Sequence, residues 1–550
     1  MRSHNDTKPE MHRGDWVITG AVLLLTMVVT LSGCAVGPDF VKPEARVQES
    51  WSEKGDSRVA TQTAVDSQWW KVFQDPTFDQ LIKLACQQNL PLQITGLRIL
   101  EARARLGIAI GRQFPQQQEV FGGVTREEIS DNAPNSSFRD QNYLDYQVGF
   151  DAVWELDFWG KFRRDVQAAH ATLISSEADY DDALVSLTAE VARTYTVIRT
   201  FEVLIELTRK NAKVQEEGLE IAESRFRNGV NTELDVAQAR TLLESTRASI
   251  PTLQSGLRQA QNALSTLLGQ PPGAIEAVLD GHKGIPTAPA EVAISVPAEL
   301  LRRRPDIRSA ELSAAAQCAR IGIAKADLYP SFSLLGEIGF QSSSEGGVQS
   351  NRADLDNLFD SSSFYYAFGP QVKLPFFNYG RIENNVRVQD ARFQQLLVNY
   401  KNTVLRAAQE SEDALIGFLK AQEATAFVQN SAHAAQRSVE IALIQYREGA
   451  VDYQRVLDTQ RALLQEEIRL AETRSSIATN LIALYKALGG GWELRQGQSV
   501  ISESMQAEMQ KRTDWGKLLP PPSPKPENLN PLPARDVPII KNLTGDDFCR

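Results

Sequence analysis

A chain of 550 residues, 42% hydrophobic and 23% charged, has the composition of a folded protein and the length for several ordinary domains or one repetitive architecture. Its net charge of −11 argues against a nucleic-acid partner, and the basic run from Arg302 to Arg304 is too short to reverse that. Four widely spaced cysteines (Cys34, Cys86, Cys318 and Cys549) without a CxxC pair, and five histidines without an HExxH spacing, argue against a disulfide framework or a zinc site.

At the N-terminus His12 and Arg13 precede an apolar run from Val17 to Leu31, which ends in Leu31-Ser32-Gly33-Cys34. A basic start, an apolar core and small residues before a cut site make a secretory signal. The cysteine directly after Leu-Ser-Gly gives it the look of a bacterial lipoprotein signal. Residues 1–33 would be removed and Cys34 lipidated as the new first residue. Acyl chains contribute about 0.8 kcal/mol per buried CH₂, so several chains anchor firmly. The alternative is a transmembrane anchor with an incidental cysteine. Ala35 rather than an Asp follows Cys34, which favours the outer membrane over retention at the inner one. Met11 is a second candidate start. No later run reaches the ~18 apolar residues of a spanning helix.

Residues 34–68 read as a polar, Pro-containing extended arm. At Trp69-Trp70-Lys71-Val72-Phe73 the character changes. Asp75 then supplies an N-cap and Pro76 a first helical position, and Phe78, Leu81, Ile82 and Ala85 give the helix one apolar face. A second helix runs from about Leu92 to Arg112. Two strands follow, near 119–127 and 143–156. In the latter Tyr143, Asp145, Gln147, Gly149 and Asp151 alternate with Leu144, Tyr146, Val148, Phe150 and Ala152. Ten-residue strands with one apolar and one polar face suit a membrane barrel with a wet interior, or else a soluble sheet packed on one side.

From Gly160 to Arg227 the chain has no proline. Apolar residues from Val166 through Leu173, Tyr180, Leu187 and Ile198 to Ile205 step by threes and fours, the seam of a coiled coil. At 1.5 Å per residue this helix would span roughly 100 Å. A partner helix runs from Thr232 to Leu268, with Pro251 expected to kink it. A Pro-containing linker occupies 271–300. Then Pro305 and Asp306 open a new helix, and the arginines before them read as a solvated or interdomain salt-bridge cluster in preference to an anion site.

From there the first half recurs. Arg105-Leu106-Gly107-Ile108-Ala109 matches Arg320-Ile321-Gly322-Ile323-Ala324, and Phe114-Pro115 matches Tyr329-Pro330. Strands are expected at 331–341 and 364–375, a second long helix at 381–447, and a last helix ending at Gly489-Gly490-Gly491. Residues 69–270 and 301–493 are thus two copies of one unit: helix, two strands, long helix, turn, helix. The eight prolines between Pro520 and Pro538 mark 494–550 as an extended, disordered tail. Each copy turns at a glycine, Gly229 followed by Val230 and Gly449 followed by Ala450. A glycine there allows the positive φ that ends a helix, so both stretches read as tips of long helical hairpins.

These residues resemble the outer-membrane efflux proteins of the TolC kind, in their lipoprotein (NodT and OprM) branch. The resemblance rests on LSGC at 31–34, WWKVFQDPTFDQLI at 69–82, WELDFWGKFRR at 154–164, RFRNGVNTELDVAQAR at 225–240, LLRRRPDIRSAE at 300–311, LPFFNYGRI at 374–382 and QYREGAVDYQRVLDTQRALL at 445–464. It implies a mainly α fold with a membrane β-barrel. A homotrimer would share one twelve-stranded barrel, four strands per protomer, above a helical periplasmic tunnel. It implies a passive exit duct for small molecules, working with a periplasmic adaptor and an RND-type inner-membrane pump. The duct would need no cofactor beyond the lipid on Cys34. Four strands cannot close a barrel alone, so the residues themselves also demand association.

In this family the tips close the periplasmic end. By position, Asp235 falls on the first hairpin's Asp, Tyr446 on the Tyr that partners it, and Asp458 on an inner pore Asp. Gly229, Val230, Gly449 and Ala450 fall on the tips that dock the adaptor. Val451 stands where the TolC pattern has a locking Arg, and Arg455 where a gate Asp is found, so the lock is expected to be differently wired. Helix capping is the alternative role for Asp235 and Asp458. Export of polypeptides by a type I system, and a pore-free coiled-coil lipoprotein, are the competing functions. An enzyme is not among them: there is no Walker A motif, nucleophile elbow or clustered acid–base set.

Overall fold

The computed structural model describes residues 35–45, 47–61, 67–130, 132, 142–294, 297, 303–344, 355–495 and 499–519. The signal segment, Cys34 and the Pro-rich stretch from 520 onward lie outside the described residues. In chain order come β1 (Val59–Thr61), α1 (Pro76–Gln88), α2 (Leu90–Gly111), β2 (Gln117–Glu128), β3 (Asn142–Leu156), α3 (Lys161–Arg227), α4 (Glu233–Leu267) and β4 (Val292–Ile294). Then come α5 (Pro305–Ala326), β5 (Ser331–Ser343), β6 (Phe364–Lys373), α6 (Arg381–Arg447), α7 (Tyr453–Ala487) and α8 (Glu503–Arg512). The two halves match in length: α3 and α6 have 67 residues each, α4 and α7 have 35 each. Helix α4 runs unbroken past Pro251.

The four long strands form one antiparallel sheet in the order β2-β3-β5-β6. Its register sorts the side chains into rows. One row crosses Val120, Phe150, Ile338 and Tyr366; the next crosses Glu119, Asp151, Glu337 and Ala367. The alternation read in β3 therefore holds across the whole sheet: one face is apolar and the other carries carboxylates. Val120 is 81% exposed and Tyr366 66%, too much apolar surface for water alone. Like charges directly opposite destabilise a dry sheet, so the carboxylate face is a wetted one. On that face Asp145 accepts from the amides of Gln147 and Gln341, and Tyr365 donates to Glu337 at 2.7 Å. No described helix is long and apolar enough to cross a membrane.

The largest core lies where the hairpins meet α1. Trp69 is fully buried, stacked on Tyr485 of α7 at 5.4 Å and edge-on to Trp70. Asp75 caps α1 through the Thr77 amide and also accepts from the Tyr195 hydroxyl at 2.7 Å. The motif at 69–75 thereby binds one helix of each hairpin. Two short segments read as coil pair with each other: β1 runs parallel to β4, Val59 opposite Val292. The arm before β1 is fixed rather than loose. The Val36 amide donates to Trp159 carbonyl, Asp39 pairs with Arg164, and Lys42 pairs with Glu311. The arginines at 303–304 do form the expected cluster. Arg304 bridges Asp306, Glu410 and the Ala487 carbonyl, and Arg303 pairs with Glu493.

Part of the C-terminal tail departs from its reading as extended chain. Within residues 499–519, α8 lays Met505 and Met509 with Ile501, Trp515 and Leu519 against Leu97 and Leu100 of α2. Five apolar side chains at suitable spacing outweighed the polar composition around them.

Near Arg304, burial pushes the Asp182 carboxyl up to about 6, with the charge of Asp306 adding to the shift and Arg304 opposing it. A carboxyl raised on folding binds its proton more tightly in the folded state, so the folded state is penalised as pH rises from about 4 to about 6. Asp182→Asn is expected to stabilise the protein by on the order of 2 kcal/mol at pH 7.5 and not at pH 4. Thermal unfolding at the two pH values checks this; an equal effect at both would refute the burial penalty.

Candidate gate at the hairpin tips

Both long helices end alike. At the first tip Gly229 has φ +70°, with the Gly229 amide on the Phe226 carbonyl and the Val230 amide on that of Arg225. At the second Gly449 has φ +76°, with its amide on the Tyr446 carbonyl and the Ala450 amide on that of Gln445. The paired six-to-one and five-to-two bonds are a Schellman motif, which satisfies the last carbonyls of a helix. The returning helices start on different caps. Thr232 and Asp235 form a reciprocal capping box on α4, with the Thr232 amide on the Asp235 carboxylate at 3.2 Å. Asp452 caps α7 through the Arg455 amide.

The two tips of one protomer pack on each other. Ala222, Ala239 and Leu242 of the first hairpin and Ala442, Tyr446, Tyr453, Val456 and Leu457 of the second make a small separate core. Tyr446 is its centre, 2% exposed and edge-on to Tyr453 at 5.1 Å. The first hairpin holds this ring from two sides. Asn231 Nδ2 donates to the Tyr446 hydroxyl at 3.0 Å. The Arg225 guanidinium lies 4.9 Å above the ring and donates to the carbonyls of Tyr446 at 2.8 Å and Arg447 at 3.2 Å. A cation over an aromatic face and at the negative end of α6 is favoured on both counts. Burial raises the Tyr446 hydroxyl above its ordinary pKa, against the lowering effect of the Asn231 bond. It stays a neutral phenol at physiological pH.

The sequence-derived site residues divide accordingly. Tyr446 is central. Asp235 lies near enough for its charge to help raise both tyrosine hydroxyls, but its carboxylate is spent on the Thr232 cap, and Tyr446 bonds Asn231 instead. Arg455 and Asp458 lie on the exposed side of α7, away from the tip core; Asp458 accepts from Gln454 and stands 4.0 Å from Arg461. Val451, at the place of a locking Arg, packs against the tip core as an apolar residue. Gly229, Val230, Gly449 and Ala450 are exposed, and the first tip adds exposed Phe226 and Leu234. Arg225 and Asn231 were missed. The repeat carried a signal for them: at the offset of 220, Gln445 and Val451 stand in their places.

A family model described as "Outer membrane efflux protein" matches residues 81–270 and 296–490, one segment for each structural half. The chain belongs to the outer membrane efflux protein family. It is 30% identical over 464 residues to nodulation protein T of Rhizobium leguminosarum bv. trifolii, covering 84% of this chain and 95% of that one. It is 31% identical to the solvent efflux pump outer membrane protein SrpC of Pseudomonas putida, covering 85% and 98%. Its structure matches that of the outer-membrane channel OprN at a TM-score of 0.77 and 31% identity, over 84% of this chain and all of the other. This efflux protein is therefore an outer-membrane channel with a TolC-like fold and not an enzyme. Its sheet is the barrel part and its hairpins the tunnel part.

If Asn231 and Tyr446 share one hydrogen bond, Asn231→Ala and Tyr446→Phe should each speed amide exchange at residues 225–236 and 446–457. Their double mutant should do little more, with a coupling of about 1 kcal/mol. Additive effects would show that the two residues act separately.

Proposed function

We propose that this chain is the exit duct of a tripartite efflux system. Three copies would share a twelve-stranded barrel. A periplasmic adaptor would dock at Gly229, Val230, Gly449 and Ala450, and an RND-type inner-membrane pump would supply the energy. One observation carries the reading: a four-stranded sheet with one apolar face, one carboxylate face and, among the described residues, two unpaired edges, β2 and β6. Such edges are not tolerated in hydrocarbon, and pairing β6 of one copy with β2 of the next removes them all. Small molecules are the cargo class supported by a relative named for solvent efflux.

The tips are the closed state's latch. Arg225 and Asn231 hold Tyr446, and Asp235 fixes the turn that carries Asn231. Arg455 and Asp458, on the free side of α7, would line the narrowed aperture as a ring of mixed charge. The lipid on Cys34 would enter the membrane beside the sheet's lower rim. The placement of Ala35 supports this: its Cα lies 2.7 Å from an ideal Cβ on Gly160, at the start of α3.

The assembled protein in planar bilayers should conduct weakly, and Arg225→Ala with Asn231→Ala should raise that conductance several-fold. Each lost contact is worth about 1 kcal/mol, and three copies act together. Absence of conductance in every variant would sink the duct; conductance untouched by the double variant would sink the latch.

A further inference from the structure

At its lower rim the sheet is joined to the helices by four chain crossings, and the repeat sorts them into two pairs. In the first pair, β3 passes into α3 at Trp159-Gly160-Lys161, beside the passage from α5 to β5 at Asp327-Leu328-Tyr329-Pro330. These crossings belong to different halves, and two contacts join them. The Trp159 ring stacks on Tyr329 with centroids 4.6 Å apart, and Trp159 Nε1 donates to the Pro330 carbonyl at 2.8 Å. Lys161 pairs with Asp327 at 2.9 Å and stands 3.8 Å from Glu155. The charge of Asp157 acts on it as well.

The second pair lies at opposite edges of the sheet and does not meet within one protomer. Here β6 passes into α6 at Tyr379-Gly380-Arg381, and α2 passes into β2 at Arg112-Gln113-Phe114-Pro115. When copies complete the sheet, β6 of one lies beside β2 of the next, and these crossings become neighbours as the first pair are. Tyr379 repeats Trp159 and Phe114 repeats Tyr329, so the boundary keeps an aromatic pair. In the lone protomer both rings stand open, Tyr379 95% exposed and Phe114 62%. The charges are not kept. Arg381 repeats Lys161, but Arg112 repeats Asp327, and Pro375 and Phe377 repeat Glu155 and Asp157. Every acid acting on Lys161 is therefore missing from the boundary.

We infer that each boundary between copies holds an anion site, in which Arg381 of one copy and Arg112 of the next grip one phosphate-type oxyanion beside the Tyr379–Phe114 pair. Arg112 reaches only Asp165 of its own copy, at 3.4 Å, and Arg381 has no side-chain partner among the described residues. One carboxylate against two guanidinium groups leaves the boundary positive. Like charges brought together are unfavourable, and an oxyanion between them replaces repulsion with two attractions. Guanidinium forks match phosphate oxygens two at a time. Arg381 is also the first residue of the 67-residue α6, whose N-terminal end adds positive potential. At the sheet's rim such an oxyanion has two sources, a phospholipid headgroup and free phosphate. The site rests on the reading of the chain as a trimer, because each half of it comes from a different copy.

The test follows the temperature at which full-length trimers in a maltoside detergent dissociate. Millimolar inorganic phosphate should raise it by several degrees over chloride at equal ionic strength. Arg112→Asp, which gives the boundary the pairing that Lys161 has with Asp327, should raise it without phosphate and abolish the response. Arg381→Gln, the milder change, should also abolish the response. Tyr379→Cys with Phe114→Cys, in a Cys549→Ser background, should cross-link one copy to the next. Native mass spectrometry separates the sources. Phospholipid retained by the parent trimer and lost from Arg381→Gln identifies a headgroup; a phosphate response without retained lipid identifies the free anion. Trimers that cross-link but ignore phosphate, or that Arg112→Asp weakens, overturn the site and leave the trimer intact. A protein that does not assemble overturns the trimer and the site with it.

Discussion

An antiparallel sheet of four strands has two edges, and hydrocarbon tolerates neither. That constraint sits at one end of this molecule and governs the rest. A sheet with two such edges has to be completed from outside, and the completion proposed above, by copies of itself, fixes where each copy's helices descend. The long helices then run side by side, and their seams must be filled by whatever stands next to them. Within one protomer α3 meets α4, α5, α2 and α7, so it is buried on several sides. Helix α6 keeps exposed Val388, Val398, Leu405 and Phe427 along its length. The difference between two helices of equal length is one of neighbours, not of composition.

The duplicated halves use this asymmetry. Their backbones end in the same Schellman turns, yet the side chains around the turns have diverged. The first half supplies Arg225 and Asn231, and the second supplies Tyr446, the ring they grip. A donor set and its target cannot both be present twice on equivalent positions and still give a one-way contact. The tip is therefore the place where an internal repeat has become a pair of unlike partners.

Much of the architecture was legible in the residues because it is local and periodic. Apolar steps of three and four located α3, strict alternation located β3, and glycines located the turns to the residue. What escaped was non-local or set by few residues. The pairing of β1 with β4 joins segments more than 200 positions apart with three residues each. Helix α8 is held by a handful of apolar contacts in a polar stretch. At the tips, family likeness pointed to Asp235 and Tyr446. Only geometry showed that Asp235 bonds its own helix start while Asn231, four residues earlier, takes the hydroxyl. A capping box and a cross-hairpin bond use the same residue types, so spacing alone does not separate them.

The equal helix lengths, 67 with 67 and 35 with 35, act as a ruler. Adding a single residue to α3 would turn everything below it by about 100° and lower its tip by about 1.5 Å. Arg225 would then point away from Tyr446, and every seam residue would face the wrong neighbour. A compensating insertion would have to arise in α4, and neither half tolerates the change alone. The strand loops carry no such count. Variation in length is thus channelled to the outer end of the molecule, while the inner end keeps its register.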